Sequence, residues 1–229
     1  MFFGGRPAGK ALGYDAALSY TAHRVPLQDG YPRIFLGSGR KMTDPSLVSE
    51  NKHVGYYTLA GDVNNDMVQR VFCAVAEMSA NRISTAHLLF QSHGGFISDG
   101  LCLYNFLSNL PIRFITYNAG AVASIAVTVF LAGRQRYASD TARFMVHKSH
   151  ASPQGGARPD ALRIIADGLK ADDRRTETIL RRFVSLTGSQ WAVHAHSDLH
   201  LTAEAALAAG VVDAIADFSP PPGVIIVAI

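Results

Sequence analysis

The sequence predicts a single α/β domain in which strands alternate with helices around a mainly parallel sheet. Of its 229 residues, 48% are hydrophobic and 17% are charged, a composition typical of globular proteins and unlike that of disordered chains. Short apolar runs with the spacing of strands alternate with longer stretches whose apolar residues recur at the helical period. The chain is long enough to bury one sizeable core, and it shows no internal repeat.

Two strand–helix pairs are predicted from residue 54 onward. Residues 56–59 form an apolar strand, and Asn64 or Asn65 is placed to cap the helix that follows. The apolar stripe of that helix consists of Val68, Val71, Phe72, Val75, Ala76 and Met78. Residues 86–90 then predict a second strand, and residues 98–110 a second amphipathic helix.

The middle of the chain continues the alternation. A strand is predicted at 112–117, and strands at 136–138 and 142–147. Between them, residues 119–133 are apolar over fifteen positions, with a helix beginning near Ser124. Because a membrane span needs about 20 apolar residues, we interpret this segment as a buried core helix.

A long helix is predicted at 159–186. Pro159 suits its first turn, and Gly188 is placed to end it. Its apolar stripe is interrupted by a strongly polar middle and consists of Leu162, Ile165, Leu169, Ile179 and Phe183. We therefore expect this helix to project, to pack at both of its ends and to cross an open or intersubunit space.

The two ends of the chain differ in character. Residues 202–209 predict a last helix, with Thr202 as its N-cap and Gly210 after its end, followed by a strand at 211–215. Residues 1–50 are rich in glycine and proline and show no sustained period. We interpret them as an N-terminal arm with one short strand at 33–36, preceding a main domain at 51–229.

Charge and cysteine content restrict the classes of function. The net charge of +3 is too small to indicate nucleic-acid binding, and no Lys/Arg cluster interleaved with aromatic residues is present. Cys73 and Cys102 lie within apolar helical patterns and are expected to be buried free thiols, which favours the cytoplasm. The first seven residues lack the continuous apolar stretch of a signal peptide.

Four short motifs carry residues suited to nucleophilic catalysis. A glycine pair, Gly94-Gly95, follows an apolar strand and precedes a helix, where backbone amides can face a developing oxyanion. Ser124 follows a segment of small residues, His147 follows the run Phe-Met-Val, and Asp198 precedes Leu-His-Leu-Thr-Ala. A hydroxyl becomes a useful nucleophile when an imidazole takes its proton, and a carboxylate orients that imidazole.

Other residues of the chain compete for these roles. His93 and His150 are alternatives to His147 as the base, and Asp213 is an alternative to Asp198 as the acid. Asp198 also belongs to a His-x-His-x-Asp-x-His series that begins at residue 194. On an extended segment these four side chains would share one face, as metal ligands do, but no second ligand cluster supports a metal site.

In their order and spacing, the four motifs resemble those of the Clp protease proteolytic subunit, from about Val54 to about Ile215. The resemblance implies the Clp/crotonase superfold of stacked ββα units and a serine endopeptidase that needs no cofactor. It implies that Ser124, His147 and Asp198 are catalytic and that the amides of Gly95 and Ile125 form the oxyanion hole. It also implies a homo-oligomeric ring that acts on peptides or unfolded proteins delivered by an ATP-dependent unfoldase.

The chain departs from the family pattern beside these motifs. His93 replaces the proline of a Ser-Pro-Gly-Gly turn, Ala126 replaces a glycine, and Lys148-Ser149 replaces Gln-Pro. The departures bear on substrate preference and catalytic efficiency more than on the fold. Two alternatives are a crotonase-like acyl-CoA enzyme and a catalytically silent ring subunit.

Overall fold

The computed structural model describes residues 53–153, 155–156 and 158–229. These residues belong to one compact unit, Val48–Ile229. The predicted N-terminal arm, with its strand at 33–36, lies outside the described residues.

Helices and strands alternate through most of the described chain, as the sequence predicts. The helices are α1 (Asn65–Ala80), α2 (Ile97–Ser108), α3 (Ile125–Phe130), α4 (Pro159–Phe183), α5 (Gly188–His196) and α6 (Ala203–Ala208). The strands are β1 (His53–Ala60), β2 (Ile83–Gln91), β3 (Arg113–Asn118), β4 (Ala121–Ala123), β5 (Gln135–Ala138), β6 (Arg143–Val146), β7 (Leu199–Thr202), β8 (Ala214–Ile215) and β9 (Ile226–Ala228).

The strands form two sheets. The larger has the order β8-β5-β3-β2-β1-β9, and all of its strand pairs are parallel. In the smaller sheet, β6 pairs in parallel with β4 and antiparallel with β7. One core joins both sheets to the helices, as the contact between Phe130 of α3 and Phe144 of β6 illustrates, with ring centroids 5.2 Å apart. The predicted α/β fold with a mainly parallel sheet is therefore confirmed.

Helix α1 begins where its capping residue predicts, but the cysteines are not buried. The Asn64 side chain accepts a hydrogen bond from the Met67 amide at 2.9 Å, which satisfies one of the free N–H groups at the helix start. Cys73 of α1 and Cys102 of α2 are both exposed, contrary to expectation. Cys73 lies two residues after the buried Val71, and about 200° of helical rotation turns it away from the core.

The apolar segment 119–133 is not one helix. It contains the short strand β4 and the six-residue helix α3, with Ser124 between them. Ala121 and Ala123 exchange backbone hydrogen bonds with Ser92, at 3.2 and 2.9 Å, which keeps this stretch extended. The predicted start of a helix near Ser124 is confirmed, but the strand before it was missed, because an apolar run that is buried on all sides carries little information on whether it is a strand or a helix.

The long helix is shorter than predicted, and a separate helix follows it. Helix α4 ends at Phe183, and Val184 adopts an extended conformation. Gly188, predicted to end α4, instead begins α5, where Thr187 and Gln190 form a reciprocal capping box. Because α5 continues to His196, residues 194–200 do not form the single extended segment on which the four side chains of the His-x-His-x-Asp-x-His series would share one face.

Within the described residues, α4 packs at one end only. Its buried residues are Ile179 and Leu180, near the C-terminal end. Near the other end, Leu162 is 42% and Ile164 is 73% exposed. The N-terminal part of α4 therefore projects from this chain, its polar middle contacts the loop after β6, and packing at both ends is not observed.

After β7, the chain contains two predicted elements, a helix and part of a strand, and one unpredicted strand. Thr202 caps α6 by accepting a hydrogen bond from the Ala205 amide. Strand β8 covers only the end of the predicted strand at 211–215, because residues 211 and 212 bond back to Ala206. Strand β9, which adds to the edge of β1, was not predicted. Over the described ranges, no helix has the length and apolar character needed to cross a membrane.

Candidate active site

Ser124 lies at a strained turn between β4 and α3. Its backbone has φ 58° and ψ −134°, an unfavourable region for a residue with a Cβ. The Ser124 amide donates a 2.7 Å hydrogen bond to the Met145 carbonyl of β6, which fixes the turn to the neighbouring strand. The side chain does not cap α3, so its hydroxyl is free for another role. Strain of this kind is retained where the surrounding structure imposes it, commonly at functional sites.

The glycine pair that follows β2 lies directly against Ser124. Gly94 has φ 104°, and a Cβ placed there would lie 2.6 Å from the Cβ of Ser124. Gly95 has φ 152°, and a Cβ there would lie 2.2 Å from the Val63 carbonyl oxygen. Backbone hydrogen bonds of 2.8 Å hold Val63 to Gly94 and to Phe96 on either side of Gly95. Both positions therefore require glycine, for the close approach as well as for the conformation.

Two amides at this turn remain available to a ligand. Neither the Gly95 N–H nor the Ile125 N–H donates a hydrogen bond to another residue in the described part of the chain. The Gly94 N–H, in contrast, donates to the Ser92 hydroxyl at 3.1 Å, which fixes the turn from inside. Free amides beside a serine hydroxyl are the arrangement that can stabilise an oxyanion.

His147 comes directly after β6 and is half-buried. Its Nδ1 lies 2.6 Å from the carbonyl oxygen of Lys148. Because a carbonyl can only accept, Nδ1 carries the proton, and Nε2 has its lone pair free to accept a proton. No hydrogen bond joins His147 to Ser124 in the described structure, and catalytic hydrogen bonds often tighten only when substrate is bound.

A cavity of about 580 Å³ brings the predicted groups together. Ser124, Ile125, His147 and the glycine pair line it, and so do both competing histidines, His93 and His150. The rings of His147 and His150 have centroids 5.1 Å apart. The cavity therefore places a hydroxyl, an imidazole and two free amides around one open space, which suits attack on a carbonyl carbon.

Asp198 lies opposite His147 across the β6–β7 strand pair, but its side chain makes no hydrogen bond to the His147 ring. Strands β6 and β7 are antiparallel, with Val146 opposite Leu199, so the same register continued by one residue puts Asp198 opposite His147. The Asp198 side chain is exposed, does not line the cavity and makes no hydrogen bond to His147. The position now taken by the Lys148 carbonyl is the one that an orienting carboxylate would occupy.

Asp213, the alternative acid, is engaged elsewhere. Its carboxylate accepts hydrogen bonds from the Arg136 backbone amide at 2.9 Å and from the Arg136 guanidinium at 2.8 Å. These contacts join the turn before β8 to β5. Asp213 therefore has a structural role in the sheet.

Sequence reasoning missed the contacts that join the His147 loop to α4. The Lys148 ammonium lies 2.6 Å from the Glu177 carboxylate, and the Ser149 amide donates to Asp173 at 2.7 Å. Hydrogen bonds from Lys148 and from Arg181 lower the pKa of the Glu177 carboxyl, against the opposing effect of burial. The available signal was the spacing of two carboxylates four residues apart in the polar middle of α4, which puts them on one helix face.

His194 is a buried imidazole behind this loop. It is 3% exposed, and its Nδ1 has no hydrogen-bond partner among the described residues. Burial lowers the pKa of His194 below its ordinary value, and the positive charge of Lys148 lowers it further. The neutral form of this imidazole therefore predominates near pH 7. The described residues contain no group of three metal-ligating side chains that could hold a metal ion.

Comparison with known proteins matches this chain to one family. The model of the Clp protease family matches residues 46–219. Among curated proteins, the chain is similar to the ATP-dependent Clp protease proteolytic subunits of Streptococcus pyogenes serotype M5 (strain Manfredo) and Streptococcus equi subsp. equi (strain 4047). Each is 26% identical over 160 residues, which cover 69% of this chain and 82% of the relative.

Proposed function

Because the chain belongs to the Clp protease family, we propose that it is a serine endopeptidase whose nucleophile is Ser124. The observation that carries the proposal is the strained Ser124 turn, which packs on Gly94 and shares one cavity with His147. Nε2 of His147 takes the hydroxyl proton as Ser124 attacks the peptide carbonyl, and it later returns a proton to the leaving amine. An acyl-enzyme forms and is then hydrolysed by water.

The amides of Gly95 and Ile125 are our proposed oxyanion hole. Both are free of protein partners in the described structure and flank the serine. A donor of this kind is typically worth about 2.7–4 kcal/mol of transition-state stabilisation. A backbone amide cannot be removed by changing a side chain, so Ser124 and His147 are the practical positions to test.

We propose Asp198 as the group that orients His147. Its place opposite His147 in the continued β6–β7 register supports this role, in which the carboxylate would accept the Nδ1 proton that the Lys148 carbonyl accepts in this structure. Asp198→Asn then reduces kcat by about 10⁴-fold, because an amide can hold the wrong imidazole tautomer. If kcat stays near the wild-type value, the Lys148 carbonyl is sufficient and Asp198 has no part in catalysis.

The test of the main proposal is peptidase activity on short fluorogenic peptides and on an unfolded protein. We expect wild-type hydrolysis to be lost in both Ser124→Ala and His147→Ala, with particle size unchanged. Hydrolysis that survives Ser124→Ala would contradict the proposal. Complete inactivity of a correctly assembled wild-type particle would instead favour the silent-subunit alternative, and turnover of CoA esters the crotonase-like one.

We further propose that the protein works as a homo-oligomeric ring fed by an ATP-dependent unfoldase in the cytoplasm. Membership of the Clp protease family supports assembly, and the N-terminal part of α4, where Leu162 and Ile164 are exposed, is the part of this helix that has no core of its own chain to pack on. The names of the streptococcal relatives support an ATP-dependent partner, and the two free, exposed cysteines suit a reducing compartment. Light scattering should give a mass well above 24.6 kDa, and a monomer at micromolar concentration would contradict assembly.

The division into an arm at 1–50 and a protease domain at 51–229 remains a proposal, which limited proteolysis can test.

A further inference from the structure

The loop that carries His147 is tied to helix α4 by two polar contacts. The first is the 2.6 Å ion pair between Lys148 and Glu177, and the second is the 2.7 Å hydrogen bond from the Ser149 amide to Asp173. We call these two contacts the His147 clamp. Both loop residues come directly after His147 in the chain, and both carboxylates lie on one face of α4.

The same loop also fixes the His147 ring. The Lys148 carbonyl accepts the Nδ1 proton of His147, so the backbone that the clamp holds is the backbone that selects the imidazole tautomer. The Lys148 and Glu177 side chains are 31% and 26% exposed, and this partial burial strengthens the ion pair compared with one at the surface. Arg181 bonds the second oxygen of Glu177 at 2.7 Å, which holds the carboxylate in place.

We infer that Lys148, Asp173 and Glu177 are positioning residues for the proposed peptidase, because they fix the His147 loop on α4 and so aim the imidazole at Ser124. The inference rests on the proposed function and deepens it, since it makes α4 a determinant of catalytic competence. None of the three touches the reacting atoms. A displacement of about 1 Å in a catalytic group can reduce the rate by about 100-fold, so a small movement of the loop has a measurable effect.

The test compares Glu177→Gln and Lys148→Met with a control, Asp172→Asn. Asp172 lies on the same helix, is 28% exposed and so about as buried as Glu177, and pairs with Arg175 rather than with the loop, so its substitution removes a matched charge without breaking a loop contact. We expect each clamp variant to lower kcat by about tenfold with little change in KM, and to slow fluorophosphonate labelling of Ser124 equally. The control should match the wild type in kcat, labelling rate and thermal midpoint.

A double variant separates a functional pair from two independent effects. If Lys148 and Glu177 act only through each other, Lys148→Met combined with Glu177→Gln lowers kcat no further than either change alone. Three results would each overturn the inference. The first is a double variant whose loss in kcat is the product of the two single losses. The second is a Glu177→Gln variant with wild-type kcat and labelling rate, and the third is a gain in activity in either clamp variant. A fall in thermal midpoint with labelling unchanged would show a merely structural role and would also overturn it.

The wild-type control separates this inference from the proposed function. A wild-type protein that is labelled at Ser124, together with Glu177→Gln labelled at the same rate, refutes the clamp and leaves the peptidase proposal intact. A wild-type particle that neither hydrolyses peptide nor takes up the probe refutes the peptidase proposal, and the clamp with it.

Discussion

The strained backbone at Ser124 leads to a prediction that separates the nucleophile's chemistry from its conformation. Ser124→Ala and Ser124→Gly both remove the hydroxyl, so both should be inactive. They differ in the Cβ, which at φ 58° and ψ −134° is costly for any residue except glycine. We expect Ser124→Gly to be the more stable of the two.

The size of the difference follows from two opposing contributions. Relief of backbone strain at one such residue contributes about 1–3 kcal/mol. Against this, glycine adds about 0.4–1 kcal/mol of conformational entropy to the unfolded chain. The difference between these contributions is about 0–2.6 kcal/mol, with a midpoint of about 1.3 kcal/mol, so we expect Ser124→Gly to exceed Ser124→Ala by a few degrees in Tm for a domain of this size.

The assay is thermal and urea-induced unfolding of the two variants and the wild type at matched protein concentration, because assembly also affects Tm. Circular dichroism and light scattering check that fold and particle size are the same. If Ser124→Gly is equal to or less stable than Ser124→Ala, the turn is not strained in solution, and the interpretation of Ser124 as a residue held under strain is wrong.

Three further predictions concern the surroundings of the site. Gly95→Ala should lower the free energy of unfolding by at least about 1–3 kcal/mol in urea titrations, since its Cβ would lie 2.2 Å from a backbone oxygen; a neutral effect would contradict the close approach. Asp213→Ala should cost about 1–3 kcal/mol, because it removes an acceptor from the mostly buried Arg136, while the rate of fluorophosphonate labelling should stay at the wild-type value in the folded protein. Below about pH 6.5 stability should fall, because the unfolded chain takes up a proton at His194 that the folded state, with its lowered pKa, does not. The measurement is the free energy of unfolding, from urea titrations between about pH 7.5 and 5.5. His194→Leu should reduce the dependence of this free energy on pH and leave the part due to His87, whose pKa is also lowered by burial. An unchanged pH dependence in His194→Leu would contradict the prediction.

The alternation of elements was predictable because each buried stripe has a clear period. The start of α1 was predicted to within one residue from the pair Asn64 and Asn65, of which Asn64 caps it, and the strands β1, β2 and β3 were predicted from short apolar runs. The segment 119–133 could not be assigned correctly, since residues buried on every side show no period. Strand β9 depends on pairing with β1, a contact distant in sequence that no local pattern reveals.

The candidate site was partly predictable for similar reasons. The glycine pair, Ser124 and His147 were found from motifs, and the structure places all of them around one cavity. The orientation of the His147 ring was not predictable, because it depends on a backbone carbonyl, and every residue has one. The contact between Lys148 and Glu177 spans 29 residues of sequence, so it required the packing of α4 against the loop to be known.

The central claim is that the Ser124 hydroxyl is an activated nucleophile, and its most direct test is the site of covalent modification. The wild-type particle is treated with a fluorophosphonate probe, digested and analysed by peptide mass spectrometry, with Ser124→Ala and His147→Ala in parallel. We expect the adduct on Ser124 in the wild type, none in Ser124→Ala, and labelling slowed by several orders of magnitude in His147→Ala. An adduct on another residue, or equal labelling of Ser124→Ala, would contradict the assignment.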